Sequence, residues 1–164
     1  IVSNMTNPMD ALTSLQQQVR KGIETLPGEK YPGLRVLVDR PNGELRYTYA
    51  RIQHGRVKAI AILMMNDPVG GIVRFSLGYA VPETYRNRGW ATEIVQQSLE
   101  ELRLGLTRNG ISCFFLDAVV GEANIASQCV AAKIFPDAPL SIIDTESGEP
   151  AFSYDKLIEL KDAA

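Results

Sequence analysis

Gly78-Tyr79-Ala80-Val81-Pro82-Glu83-Thr84-Tyr85-Arg86-Asn87-Arg88-Gly89-Trp90-Ala91-Thr92 holds a strand end, a polar loop and a helix start in one run. Residues 72–81 read as a strand, and Pro82, lacking an N–H donor, ends its pairing. Beyond a short polar loop the apolar period changes. Ala91, Val95, Leu99, Leu102 and Leu106 fall on one face of a helix that opens just past Gly89 and stops before Asn109-Gly110. The first N–H groups of a helix lack intrahelical partners and carry the positive end of its dipole, so the loop before them suits an anion. Gly89 lets a phosphate approach the backbone, and Ala91 keeps the next turn small. Arg86 and Arg88 add charge that matches phosphate; each can also be read as an ordinary exposed loop charge, but spacing and position favour phosphate. The expected ligand is a di- or polyphosphate.

The spacing fits neither a nucleotide P-loop, since no Gly-Lys-Ser/Thr follows, nor the dinucleotide fingerprint Gly-x-Gly-x-x-Gly. Downstream, residues 111–120 are apolar on both faces, as in a strand covered by helices on both sides, and their one charge is Asp117. A helix over about 123–134 is stopped by Pro136, and 140–144 and 150–156 flank the turn-rich Glu146–Glu149 as a closing hairpin. Upstream, Asn7-Pro8 starts an amphipathic helix expected to run to residue 26, carrying Leu12, Leu15, Val19, Ile23 and Leu26. Strands at 34–39, 45–53, 56–65 and 72–81, parted by turn signals, form an antiparallel meander. The order helix, meander, helix, strand, helix, hairpin predicts an α/β or α+β domain with a mixed, mostly antiparallel sheet and helices on both faces. Strands 72–81 and 111–120, joined through a helix, are expected to run parallel.

At 164 residues and 45% apolar content the chain suits one domain with a sizeable core. The net charge of −2 disfavours a nucleic-acid binder that works by neutralising phosphates. Cys113 and Cys129 lie in apolar surroundings with no metal-ligand spacing, and His54 is the single histidine, so no metal is expected. Both thiols read as buried and reduced, and the compartment as the cytosol. No apolar run reaches the roughly 18 residues that cross a bilayer, so no membrane partner is expected. Because the chain begins at Ile1, residues 1–7 read as a flexible or vector-derived stub, or as the end of something longer.

Arg86-x-x-Gly89-x-Ala91 resembles the pyrophosphate loop of the GNAT superfamily of N-acetyltransferases, preceded by its Gly-Tyr-x-Val strand at Gly78–Val81. Leu116-Asp117-Ala118-Val119 followed by Asn124-Ile125-Ala126-Ser127 resembles the strand and Asn-x-x-Ser helix that come next, in order and at the right distance. With Thr92-Glu93, the layout is most similar to the RimJ/RimL-like branch, the ribosomal-protein alanine N-acetyltransferases. The resemblance spans about residues 45–156. Lys133-Ile134-Phe135-Pro136 lacks the glycine that usually closes the second helix, so an altered exit from that helix is expected.

The resemblance implies acetyl-CoA as cofactor, lying where strands 72–81 and 111–120 splay apart. Its pyrophosphate would rest on the N–H groups of Arg88 to Thr92. Ala80, Val81, Arg86, Asn87, Arg88, Gly89, Trp90, Ala91, Thr92, Asn124 and Ser127 are the residues expected to touch it. An amine would attack the thioester directly, with backbone N–H near Val81 stabilising the oxyanion. Asp117 is the expected base and Ser127 the expected hydroxyl near the sulfur. The plainer readings are a structural carboxylate paired with an arginine, a helix serine bonding its own backbone, and, for Asn124, a helix cap. Glu83 and Glu122 are alternative bases, each also readable as a solvated charge. Tyr47, Tyr49, Tyr79 and Tyr154 are packing residues first and substrate-pocket candidates second. The acceptor stays open between a protein or peptide N-terminus, slightly favoured, a lysine, an aminoacyl-tRNA and a small amine. A homodimer also stays open. The rival reading is a non-catalytic acyl-CoA-binding sensor or a protein-interaction module on the same fold.

Overall fold

The computed structural model describes residues 7–160; most of the expected N-terminal stub lies outside them. Asn7 belongs to the fold, because its side chain accepts from the Met9 N–H at 2.9 Å and caps helix α1, Pro8–Arg20. The helix stops six residues short of the expected end. Gly22 takes φ +82°, and the Ile23 and Gly22 N–H groups bond back to Gln18 and Val19 carbonyls, closing the last turn. Leu26–Pro27 instead forms a short strand, β1, on the sheet edge.

The meander follows as β2 (Leu34–Asp39), β3 (Arg46–Gln53), β4 (Arg56–Val69) and β5 (Ile72–Ala80), all antiparallel. His54-Gly55, both at positive φ, turn β3 into β4. Strand β4 runs past the expected break at Asp67-Pro68, tolerating the proline at a register irregularity between Asn66 and Val69. Helix α2 (Trp90–Arg108), strand β6 (Cys113–Gly121), helix α3 (Ile125–Ile134) and the hairpin β7 (Leu140–Ile143) and β8 (Pro150–Glu159) complete one eight-stranded sheet in the order β1-β2-β3-β4-β5-β6-β8-β7. Among the described residues its one parallel pair is β5 with β6.

Alternation along β4 explains the two helical faces. Ala59, Ala61 and Leu63 point into the larger core with Val95, Leu99 and Leu102 of α2, while Ile60 and Ile62 point to Leu12 and Leu15 of α1, joined by Val57 across a register shift opposite Arg51 and Ile52 that interrupts the alternation. Helix α3 joins the α2 side through Ala131 and Ile134. Strand β6 departs from expectation. Phe114, Leu116, Ala118 and Val120 are buried, but Val119 on the other face is 51% exposed, because α1 packs over β4 and β5 and not over β6. Cys129 is exposed, contrary to its reading as a buried thiol. It projects from α3 away from the face carrying Ala131 and Ile134, and Cys113 is half-buried. Without a closing glycine, α3 leaves through Phe135 in extended conformation, its ring buried 5.5 Å from that of Tyr154.

Candidate functional site: a splayed strand pair beside an anion loop

Strands β5 and β6 pair only at Arg74–Phe115, Phe75–Leu116 and Ser76–Asp117. Beyond that rung the two strands no longer pair with each other, β5 running on to Ala80 against β4 and β6 to Gly121 against β8, and a gap opens between them. The loop from Pro82 to Gly89 rises at the mouth of this gap. Its shape is set by two left-handed residues, Asn87 at φ +61° and Gly89 at φ +73°. A Cβ at Gly89 would meet nothing within 4 Å, so the glycine answers a backbone requirement and leaves open space above the helix start. Gly89 is the N-cap of α2, and no side chain caps that first turn. Arg86 lays its Nε on the Val81 carbonyl at 3.1 Å, tying the loop to the strand end. Arg88 is exposed, while Trp90 packs against the core and stacks on Tyr85.

Asp117 and Ser127, the two expected catalytic residues, lie on opposite faces of the sheet. Leu116 and Ala118 point to α2 and α3, so Asp117 points to the other face with its partner on the last rung, Ser76. Ser76 Oγ donates to Asp117 Oδ1 at 2.6 Å, Asn66 donates to Ser76 Oγ, and Arg74 Nη1 stands 3.6 Å from Asp117 Oδ2. Burial pushes the Asp117 carboxyl above its ordinary value, against the opposing pull of the Ser76 bond and the Arg74 charge.

On the α3 side, Asn124 accepts from the Ser127 N–H at 3.1 Å and is the N-cap of the helix. Tyr79 Oη donates to the Ser127 carbonyl at 2.6 Å, pinning α3 to β5 across the gap, and burial raises the Tyr79 pKa. The Ser127 hydroxyl bonds no protein group among the described residues and does not return to its own backbone. Ala80 and Val81 line the β5 side of the opening, and Ala91 and Thr92 lie half-buried in the first turn of α2. Glu83 and Glu122 are exposed, Tyr49 and Tyr154 are core residues, and Tyr47 packs on Tyr49 and Phe75.

Three groups escaped the sequence reading. Ser76 and Asn66 become partners of Asp117 only through strand register. Glu101 of α2 accepts the N–H groups of Glu29, Lys30 and Tyr31 at 2.9, 2.7 and 2.8 Å, holding the loop between β1 and β2. A glutamate on the half-buried flank of a helix was the only available signal for it. A cleft of about 490 Å³ lies away from the gap, between α2 and the end of α3 with Gln97, Arg103 and Lys133 on its walls. No helix among the described residues is long and apolar enough to cross a membrane.

An eight-stranded, mostly antiparallel sheet with one splayed parallel pair and a helix opening directly on a left-handed glycine is the fold of the GNAT acetyltransferases. A GNAT-family acetyltransferase from Streptococcus pneumoniae superposes with a TM-score of 0.53 at 14% identity, covering 93% of this chain and 96% of that one. The putative acetyltransferase yncA from Salmonella typhimurium, solved with its cofactor acetyl-CoA, superposes at 0.53 and 16% identity, covering 73% of this chain and 67% of its own. The ribosomal L7/L12 α-N-protein acetyltransferase RimL, in complex with coenzyme A, superposes at 0.50 and 19% identity; the match covers 71% of this chain and spans 64% of RimL. No protein-family model matches the sequence, and no curated protein matches it significantly.

Proposed function

We propose that this chain is an acetyl-CoA-dependent N-acetyltransferase that passes an acetyl group directly to an amine. The observation that carries the reading is the gap between β5 and β6 opening directly beneath the left-handed loop at Asn87–Gly89. The uncapped first turn of α2, with Arg88 beside it, suits a diphosphate. The gap below is lined by backbone near Ala80 and Val81 and suits an extended arm.

Acetyl-CoA supplies an acyl carbon activated as a thioester; the amine nitrogen bonds to that carbon as the carbon–sulfur bond breaks. Asp117 takes the proton from the amine on one face of the sheet, and the Ser127 hydroxyl serves the departing sulfur on the other. Backbone N–H near Val81 meets the charge that develops on the carbonyl oxygen. A lysine-like amine with pKa about 10.4 is neutral in roughly one molecule in a few thousand at pH 7, whereas an α-amine with pKa about 8 needs far less help. Together with the likeness to RimL, this favours a protein or peptide α-amine over lysine, aminoacyl-tRNA or a small amine. The two free thiols fit a cytosolic setting.

One observation favours a second reading. Asp117 is engaged by both Ser76 and Arg74, as a structural carboxylate would be, and a chain in which it never titrates would bind acyl-CoA as a sensor without turnover.

Thermal unfolding with acetyl-CoA, with ATP and NAD as controls, tests the cofactor. Saturation at a hundred times Kd adds about 2.7 kcal/mol, raising the midpoint by about 5–10 °C. No shift at millimolar acetyl-CoA would overturn the reading, and a shift without turnover on any amine would turn it into the sensor.

A further inference from the structure

Beside the anion loop, three cations crowd two stacked rings. Tyr85 and Trp90, which bracket residues 86–89, stack with centroids 5.6 Å apart. Arg51 of β3 sets its guanidinium 4.4 Å from the Trp90 centroid. Lys58 of β4 sets its ammonium 5.0 Å from Tyr85 and 5.5 Å from Trp90. Arg88 of the loop lies 6.0 and 5.5 Å from the same rings. Each ring face attracts a cation at this range.

One carboxylate answers the three charges: Glu93 bonds Arg51 at 2.9 Å. Among the described residues neither Lys58 nor Arg88 is ion-paired. The chain as a whole carries −2, so the positive excess is local to this end of the sheet. Cations gathered so closely repel one another, and the half-buried Lys58 and Arg51 feel that repulsion with less screening than free side chains would. An anion with more than one charge relieves it.

The helix start already accounts for a diphosphate. A coenzyme A molecule brings a further group of the required kind, a phosphate monoester on its ribose with about −1.5 to −2 charges near neutral pH. We infer that Lys58, with Arg51 and Arg88, forms a phosphate-monoester subsite that holds the 3′-phosphate of coenzyme A. The inference rests on the cofactor reading above. It assigns a binding role to the β3–β4 hairpin, which approaches the loop only because β4 pairs with β5. The Tyr85–Trp90 stack is the platform that fixes the spacing of the three cations.

Calorimetric binding of coenzyme A and of 3′-dephospho-coenzyme A, at one ionic strength, tests it. The wild type binds coenzyme A about tenfold more tightly than the dephospho form, the worth of a charge-assisted contact. Lys58→Met erases most of that preference while keeping the wild-type affinity for the dephospho form, and Lys58→Arg keeps the preference. Equal binding of both ligands by the wild type would overturn the subsite alone, as would a Lys58→Met protein that still discriminates or that weakens for both ligands alike. A wild type that binds neither ligand would overturn the cofactor reading and the subsite together.

Discussion

Ser76 and Asp117, 41 residues apart in sequence, face each other on the last paired rung of β5 and β6, with the serine hydroxyl 2.6 Å from a carboxylate oxygen. The strands diverge immediately beyond them, so the carboxylate stands at the foot of the gap. Arg74 approaches the second oxygen at 3.6 Å, and Asn66 anchors the serine from β4. Burial raises the carboxyl pKa, and the serine bond holds it from rising further.

If Asp117 is the base, kcat/KM rises with pH through an ionisation raised from the ordinary aspartate value. Asp117→Asn removes that limb and lowers kcat by about 10²–10⁴-fold. Ser76→Ala moves the limb to higher pH, because it deletes a bond to the charged form, and leaves the high-pH plateau in place. Rate profiles that match between wild type and Asp117→Asn would remove Asp117 from the mechanism.

The same shift has a consequence for stability. Between the ordinary carboxylate pKa and the raised folded value, the folded chain holds more protons than the unfolded one, so unfolding free energy falls as pH rises through that window. Urea titrations across the acid range therefore show the wild type losing stability relative to Asp117→Asn as pH rises, with no further change above the window. A difference that stays constant with pH would show that the carboxyl is not shifted upward.

Two changes at Gly89 separate backbone strain from charge. The site has room for a Cβ but sits at φ +73°, so Gly89→Ala costs about 1 kcal/mol of stability. Gly89→Glu adds a negative charge where a phosphate is expected and weakens coenzyme A by more than about tenfold beyond the alanine variant. Equal affinities in the two variants would displace the diphosphate from the loop.

Tyr79 and Ser127 separate structure from turnover on the other face. Tyr79→Phe deletes the 2.6 Å bond to the Ser127 carbonyl and destabilises the fold by about 1 kcal/mol. Ser127→Ala touches only the hydroxyl, so the denaturation midpoint holds while kcat falls. A Ser127→Ala enzyme with full kcat would assign the serine to structure alone.

Glu101 tests the loop between β1 and β2. Its carboxylate takes three N–H groups, so Glu101→Gln costs about 1–3 kcal/mol. Gly28→Ala also destabilises, since a Cβ there would stand 2.4 Å from the Tyr31 carbonyl and 2.9 Å from Glu101. The double variant loses less than the sum because the two share one contact, and coenzyme A affinity is unchanged in all three.

The order and period of the elements and the turn from strand to helix at Gly89 were legible in local sequence. These depend on residues within a few positions of one another: Pro82 without its N–H, Gly89 with its tolerance of positive φ, apolar side chains three or four apart in α2. The strand over 34–39 was legible to the residue. The end of α1 was not, because Ile23 and Leu26 continue the apolar period past Gly22, and an apolar residue in a strand edge looks the same as one on a helix. What covers each face depends on long-range packing. Residues 113–121 are apolar on both sides, yet hydrophobicity does not say which helix arrives, and α1 stops at β5. The same packing decides the partners. Asp117 with Ser76, Tyr79 with Ser127 and Lys58 with Trp90 meet only through strand register and the return of a helix over the sheet. Register is set by the packing of the whole core, so the site's chemistry was written in the sequence and its geometry was not.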